Sequence, residues 1–215
     1  MMKTNMKKMP GKWKIVIIGI LALYLVVGFL LYHFQEKMIF HPEKLPADYV
    51  FHFDTPFQEF NIPLNDTDRL NAVLFKADNP RGMVIYFHGN SGNITLYASY
   101  ASIFLQAGYD VLMPDYRGYG KSTGPLSEQA FYDDANVMYQ LARGRFSADS
   151  ILLYGKSLGT GIAAELAARH SCKALVLETP YDSFDLLAGR RFFIYPIKWL
   201  LKYHFPTHRF VADVP

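Results

Sequence analysis

Gly155-Lys156-Ser157-Leu158-Gly159 is the stretch of this chain whose residue types and spacing point most directly to chemistry. It follows the apolar residues 151–154 and precedes a run of strong helix formers, residues 160–169. Gly-x-Ser-x-Gly between a strand and a helix sets the serine on a strained turn, its hydroxyl exposed at the carboxyl end of a sheet. The flanking glycines suit a turn so tight that any Cβ would crowd it. Such a serine attacks an acyl carbonyl, given a histidine to take its proton and a carboxylate to orient that histidine.

The carbonyl oxygen becomes an oxyanion during attack and needs preorganised donors. One is expected from the backbone amide of Leu158, where the following helix also favours negative charge through its dipole. The other is expected from Phe87-His88-Gly89-Asn90-Ser91-Gly92-Asn93, directly after another apolar run, with the Asn90 amide as the donor. His88 is read as structural rather than as the base, because a base must be aimed at the serine hydroxyl. Pro114-Asp115-Tyr116-Arg117-Gly118-Tyr119-Gly120-Lys121-Ser122 reads as a tight structural turn, with catalysis by Asp115 the minority reading.

The elements that must hold these loops alternate along the chain. Residues 57–62 and 70–76 read as two strands around the turn-forming 63–68. Residues 83–87 then read as a buried strand, 96–106 as a helix and 109–113 as a strand. Residues 127–143 follow as a helix, 151–154 as a strand, 158–169 as a helix and 174–177 as a strand. Near-continuous apolar runs mark parallel strands covered on both faces, so the expected class is α/β, a doubly wound and mostly parallel sheet. Residues 185–205 break the alternation. They are rich in large apolar side chains, with Arg190, Arg191, Lys198 and Lys202 interspersed. They read as one or two packing helices around Pro196, a reading compatible with a lid over an acyl-binding cleft.

His88-Gly-Asn-x-Gly92, the run Asp115 to Ser122, Gly155 to Gly159 and Glu178-Thr-Pro-Tyr181 occur in order at successive strand ends. In this the chain resembles the α/β-hydrolase superfamily. With one N-terminal apolar span it is similar to the membrane-anchored α/β-hydrolase-domain proteins, grouped with serine-aminopeptidase-like hydrolases. The resemblance covers roughly residues 40–215 and implies a serine esterase, thioesterase or related acyl hydrolase. It makes Ser157 the nucleophile, with Asn90 and Leu158 supplying oxyanion amides. The superfamily order is serine, then acid, then histidine. The sequence ends at Pro215, where the next strand is expected, so the last strands are absent and the hydrolase domain is expected to be partial. Asp182 is a minor candidate for the acid. His204 and His208 stand four apart, but Pro206 between them breaks the helix that would align them, and neither reads as a base or a metal ligand. An inactive fragment acting as a binding or structural module is therefore the alternative to an acyl hydrolase.

Residues 15–32 form an 18-residue run without a charge, enough as a helix to cross the roughly 30 Å hydrocarbon core. A buried helix would be amphipathic, and a cleavable signal would be shorter with a small-x-small site, so the reading is an uncleaved signal anchor. Lys3, Lys7, Lys8, Lys12 and Lys14 precede it, placing the N-terminus in the cytoplasm and the hydrolase body on the other side. The organisation is then a basic tail (1–14), the anchor (15–32), a connector (33–56) and a partial hydrolase domain (57–215). Of 22 basic residues those five lie in the tail, leaving 17 against 19 acids, so the net charge of +3 belongs to the tail. A slightly acidic body without a basic stripe excludes nucleic acid as a partner. Gly155-Lys-Ser157 and Gly120-Lys-Ser122 lack the glycine five residues upstream that a phosphate loop requires. No metal or organic cofactor is expected, and the expected partners are a small or lipid-like acyl substrate and the membrane.

Overall fold

The computed structural model describes residues 10–215, so residues 1–9 of the expected basic tail lie outside the described residues. The first element among the described residues is α1 (Gly11–Ile39), whose apolar side chains face outward, and only Gln35 of the helix is buried. By length and composition α1 suffices to cross a membrane. It continues seven residues into the segment expected as a connector, because neither Gly nor Pro interrupts residues 33–39. Beyond it, Phe40 and Phe51 are buried in the body.

After the two-residue β1 (His41–Pro42) come β2 (Phe57–Pro63), β3 (Arg69–Phe75), β4 (Met83–Phe87) and the two-residue β5 (Ser91–Gly92). The stretch expected as one helix over 96–106 is instead α2 (Ile94–Tyr97), a 3₁₀ turn (Ala98–Tyr100) and α3 (Ala101–Gln106). Asn93 caps α2, accepting from the Thr95 amide at 2.8 Å, so the helix starts earlier than the apolar pattern alone indicated. Then follow β6 (Asp110–Pro114), α4 (Glu128–Arg143), β7 (Ile151–Lys156), α5 (Leu158–Arg169) and β8 (Ala174–Glu178). The described chain closes with α6 (Phe184–Arg191), α7 (Ile197–Leu200) and α8 (Thr207–Ala212). Ser127 caps α4 by accepting from the Ala130 amide at 3.0 Å, where the sequence places that helix's start.

The six-stranded sheet has the order β2-β3-β6-β4-β7-β8. β2, β3 and β6 pair antiparallel, while β6, β4, β7 and β8 are mutually parallel neighbours. Successive side chains of β4 fall alternately into two cores. Met83, Ile85 and Phe87 join α4 and α5 on one face, whereas Val84 and Tyr86 join α2 and α3 on the other. This is the α/β-hydrolase architecture: strands buried on both faces, read in sequence as unbroken apolar runs. The loops after β4, β6 and β7 all emerge at the carboxyl edge of the sheet, where the order reverses around β4 and open sheets hold their ligands.

Candidate active site

Ser157 joins β7 to α5 with φ 50° and ψ −112°, a left-handed conformation that a non-glycine residue adopts only when its surroundings enforce it. The enforcement is visible. The Ser157 N–H donates to the Glu178 carbonyl at 2.9 Å, and the Thr160 N–H donates to the Ser157 carbonyl at 2.9 Å. The flanking glycines let backbone meet backbone. A Cβ on Gly155 would lie 2.4 Å from the Gly159 oxygen, and one on Gly159 would lie 2.1 Å from the Phe87 oxygen. Packing of α5 across the end of β4 thus demands these glycines, and it leaves the Ser157 side chain exposed.

That side chain faces a cavity of about 400 Å³ which Asn90 and Leu158 also line. The three residues singled out from the sequence are therefore brought together. Neither the Leu158 nor the Asn90 N–H has an acceptor among the described residues. Asn90 itself is fixed. Its side-chain amide donates to the Ile39 carbonyl, and the Tyr119 hydroxyl donates to its main-chain oxygen at 2.9 Å. β1 and β5 pair in parallel beside it, so the loop after β4 is fastened to the segment that leaves α1.

His88 and Asp115 form a knot beneath the site, both fully buried. The His88 Nδ1 donates to the Gly89 carbonyl at 2.7 Å, and its Nε2 lies 3.4 Å from Asp115 Oδ1. Asp115 also accepts from the Ile94 N–H at 2.9 Å, and the Tyr116 hydroxyl donates to the His88 carbonyl at 2.7 Å. Burial pushes the Asp115 carboxyl above its ordinary range, with His88 pulling the other way. Neither residue lines the Ser157 cavity.

Asp182 is not brought to the cavity. Its carboxylate lies 3.2 Å from Nδ1 of His208, and it borders a shallow surface depression with Asp185 and Lys198. His204 Nδ1 pairs with Asp185 at 3.1 Å. No histidine lines the Ser157 cavity among the described residues.

Sequence reasoning missed two groups. Lys156, the variable residue before the serine, donates to Glu178, as does the Tyr154 hydroxyl. These contacts hold the Glu178 carboxyl below its ordinary range and tie the elbow to β8. The second group is the cavity wall formed by Leu31, Gln35, Met38 and Ile39, spaced for one face of α1. The only signal for it was that the apolar character of α1 runs past the end of the expected anchor. On the opposite wall stand Leu187 of α6, Phe192 just after it and Ile197 of α7, in the segment read as helices compatible with a lid.

A family model described as serine aminopeptidase, S33, matches residues 78–212, more than half of the chain. An uncharacterised protein of Mycobacterium tuberculosis is 28% identical over 184 residues, covering 84% of this chain and 66% of that protein. The protein bem46 of Schizosaccharomyces pombe is 31% identical over 178 residues, covering 76% of this chain and 59% of that one. The chain thus spans less than two thirds of the length of these curated relatives. Among solved structures, the α/β hydrolase of Vibrio vulnificus matches with a TM-score of 0.59 at 22% identity. The match covers 74% of this chain and 60% of that one, and it is a likeness of fold.

Proposed function

This chain belongs to the serine aminopeptidase S33 family of α/β-hydrolases, and from that premise we propose that it is a membrane-anchored serine hydrolase acting on acyl esters, thioesters or related bonds. The observation that carries the proposal is the strained, exposed Ser157 sharing one cavity with Asn90 and Leu158, whose main-chain N–H groups have no acceptor among the described residues. In the proposed reaction the Ser157 Oγ bonds to the acyl carbon while its proton leaves to a base. The carbonyl oxygen takes up the electron pair between the Leu158 and Asn90 amides. Collapse of that intermediate breaks the bond to the leaving group, which takes the proton, and water then releases the acyl group. The strain at Ser157 supports this assignment, since outlying backbone conformations cluster at functional sites. The cavity's mostly apolar walls support an acyl chain as the bound group.

In this reading α1 crosses the membrane over residues 15–32, with the N-terminus cytoplasmic and the hydrolase domain on the other side. One observation favours a second reading: no histidine lines the cavity among the described residues. Without a base the same cavity binds acyl groups and turns nothing over, a binding module on a hydrolase scaffold.

Labelling with a fluorophosphonate distinguishes the two, measured on the 215-residue chain, on any longer natural form, and on Ser157→Ala. Labelling lost on Ser157→Ala supports the nucleophile assignment and identifies the form that carries a complete site. No labelling of any form, with acyl-chain binding retained, supports the binding module and overturns the enzyme.

A further inference from the structure

The segment 184–201, walling the cavity opposite α1, packs along α1 itself. Tyr195 stacks on Tyr24 with ring centroids 4.5 Å apart and planes 9° from parallel. The Tyr24 hydroxyl donates to the Ile194 carbonyl at 3.0 Å, and the Tyr195 hydroxyl donates to the Tyr24 carbonyl at 3.1 Å. A Cβ on Gly28 would lie 3.1 Å from the Tyr195 ring, so a glycine stands where the loop makes its close approach. Tyr24 lies inside the apolar run, eight residues before its end at Tyr32. At 1.5 Å per helical residue, the 193–195 loop is carried about 12 Å back along α1 from that end. Half of the hydrocarbon core is about 15 Å deep.

The side chains around this loop match that depth. Phe193 is 80% exposed, Ile194 60% and Trp199 85%, side chains that form an apolar tip left uncovered by the described residues. Arg190 and Lys198 are exposed close to it along the chain, Arg191 is exposed and also lines the Ser157 cavity, and Lys202 pairs with Glu36 of α1 at 3.7 Å. The acids of the segment are engaged elsewhere, Asp182 with His208 and Asp185 with His204. An apolar tip with exposed cations before and after it in the chain suits a bilayer, with long basic side chains reaching back to anionic headgroups.

We propose that the α6–α7 hairpin is immersed in the leaflet beside α1, so that the Ser157 cavity receives its acyl chain from the bilayer. The substrate class is then an ester or thioester of a lipid chain held in that leaflet. Leu31 and Gln35 on α1 and Leu187 and Phe192 on the hairpin segment line the cavity between them. The inference rests on α1 as a membrane span and on Ser157 as the reacting group.

The hairpin's position is tested without turnover. Trp13 and Trp199 are the only tryptophans, so a Trp13→Phe chain reports on Trp199 alone. It is reconstituted in vesicles of equimolar phosphatidylcholine and phosphatidylglycerol, with chains brominated along their length. Quenching of Trp199 by the brominated lipids, together with protection from aqueous iodide, is expected. Quenching by iodide but not by bromolipid overturns the proposal. Protection from both overturns it too, because a protein surface such as a second copy then covers the tip. Alkaline extraction of the same vesicles reports on α1 separately. For the substrate class, Phe193→Asp should lower labelling by a vesicle-borne long-chain fluorophosphonate relative to a soluble short-chain one by about tenfold or more, since a carboxylate resists entering hydrocarbon. An unchanged ratio overturns entry from the bilayer, while absence of Ser157-dependent labelling in the parent chain is failure of the nucleophile assignment instead.

Discussion

The main-chain N–H of Lys202 donates to Oε1 of Gln35 at 2.8 Å, joining the buried residue of α1 to the chain that leaves α7. The same side chain donates through Nε2 to the Leu200 carbonyl at 3.1 Å and to the Tyr32 carbonyl at 2.8 Å. One amide therefore brackets both walls of the Ser157 cavity. Removing it deprives the part-buried Lys202 N–H and Leu200 carbonyl of this partner, a loss of about 0.5–1.5 kcal/mol each. Gln35→Leu, which keeps most of the volume, should lower the unfolding midpoint in detergent and slow fluorophosphonate labelling of Ser157. An unchanged midpoint would mean that Gln35 contributes nothing to holding the hairpin against α1.

Tyr119 acts on the site through Asn90, so it is a positioning residue. Tyr119→Phe keeps the ring and removes the bonds to the Asn90 main-chain oxygen and side chain. The net value of such bonds is about 0.5–1.5 kcal/mol each. The labelling rate should fall about two- to tenfold while affinity for a non-reactive acyl ligand stays level. A parallel loss of both would assign Tyr119 to the cavity's shape and not to the loop's alignment.

At Gly159 two effects oppose each other. Alanine is the better helix former by about 1 kcal/mol. Against this, the new Cβ would sit 2.1 Å from a backbone oxygen of β4, and such overpacking costs about 1–3 kcal/mol or more. The clash should win, so Gly159→Ala is expected to destabilise. Gly189→Ala in α6, where nothing lies within 4 Å, should instead stabilise slightly. Thermal unfolding of the two variants checks the sign of each.

Glu59 carries a pH signature. Burial alone would raise its carboxyl, but hydrogen bonds from Lys121 at 2.6 Å and Asn71 at 2.6 Å outweigh that and hold it below the usual 4.5. A depressed carboxylate stabilises the fold fully above its unfolded value, and the contribution is lost as pH falls through the folded value. The unfolding midpoint of Glu59→Gln should therefore lie below that of the parent at neutral pH, by about 1–3 kcal/mol in stability. The gap should close below pH 4.5. A gap constant with pH would assign the loss to packing. Lys121 also donates to the Tyr49 carbonyl at 2.8 Å, so the same pair fastens residues 40–57 to the sheet.

The parts legible in the sequence are those with a local cause. Strands β4 and β7 follow from apolar runs, the start of α4 from Ser127, and the elbow from glycines on either side of Ser157, because each depends on neighbours a few residues away. The segment after β4 reads as one helix from residue 96, whereas helical structure starts at Ile94 and is interrupted at Ala98–Tyr100, since the Asn93 cap and the 3₁₀ turn depend on how the loop meets Glu43 and Asp115.

The fold class, the serine on its turn and a helix long enough for a membrane can all be read from the amino-acid order. All of these are set by periodicity, composition and steric demands within single elements. Only the tertiary structure decided that α1 walls the cavity, that Gln35 holds the hairpin, and that Asp182 turns to His208 and not to Ser157. Those contacts join residues 26 to more than 160 positions apart. Which of many equally polar or apolar side chains meet across such separations is settled by the packing of whole elements, not by any spacing along the chain.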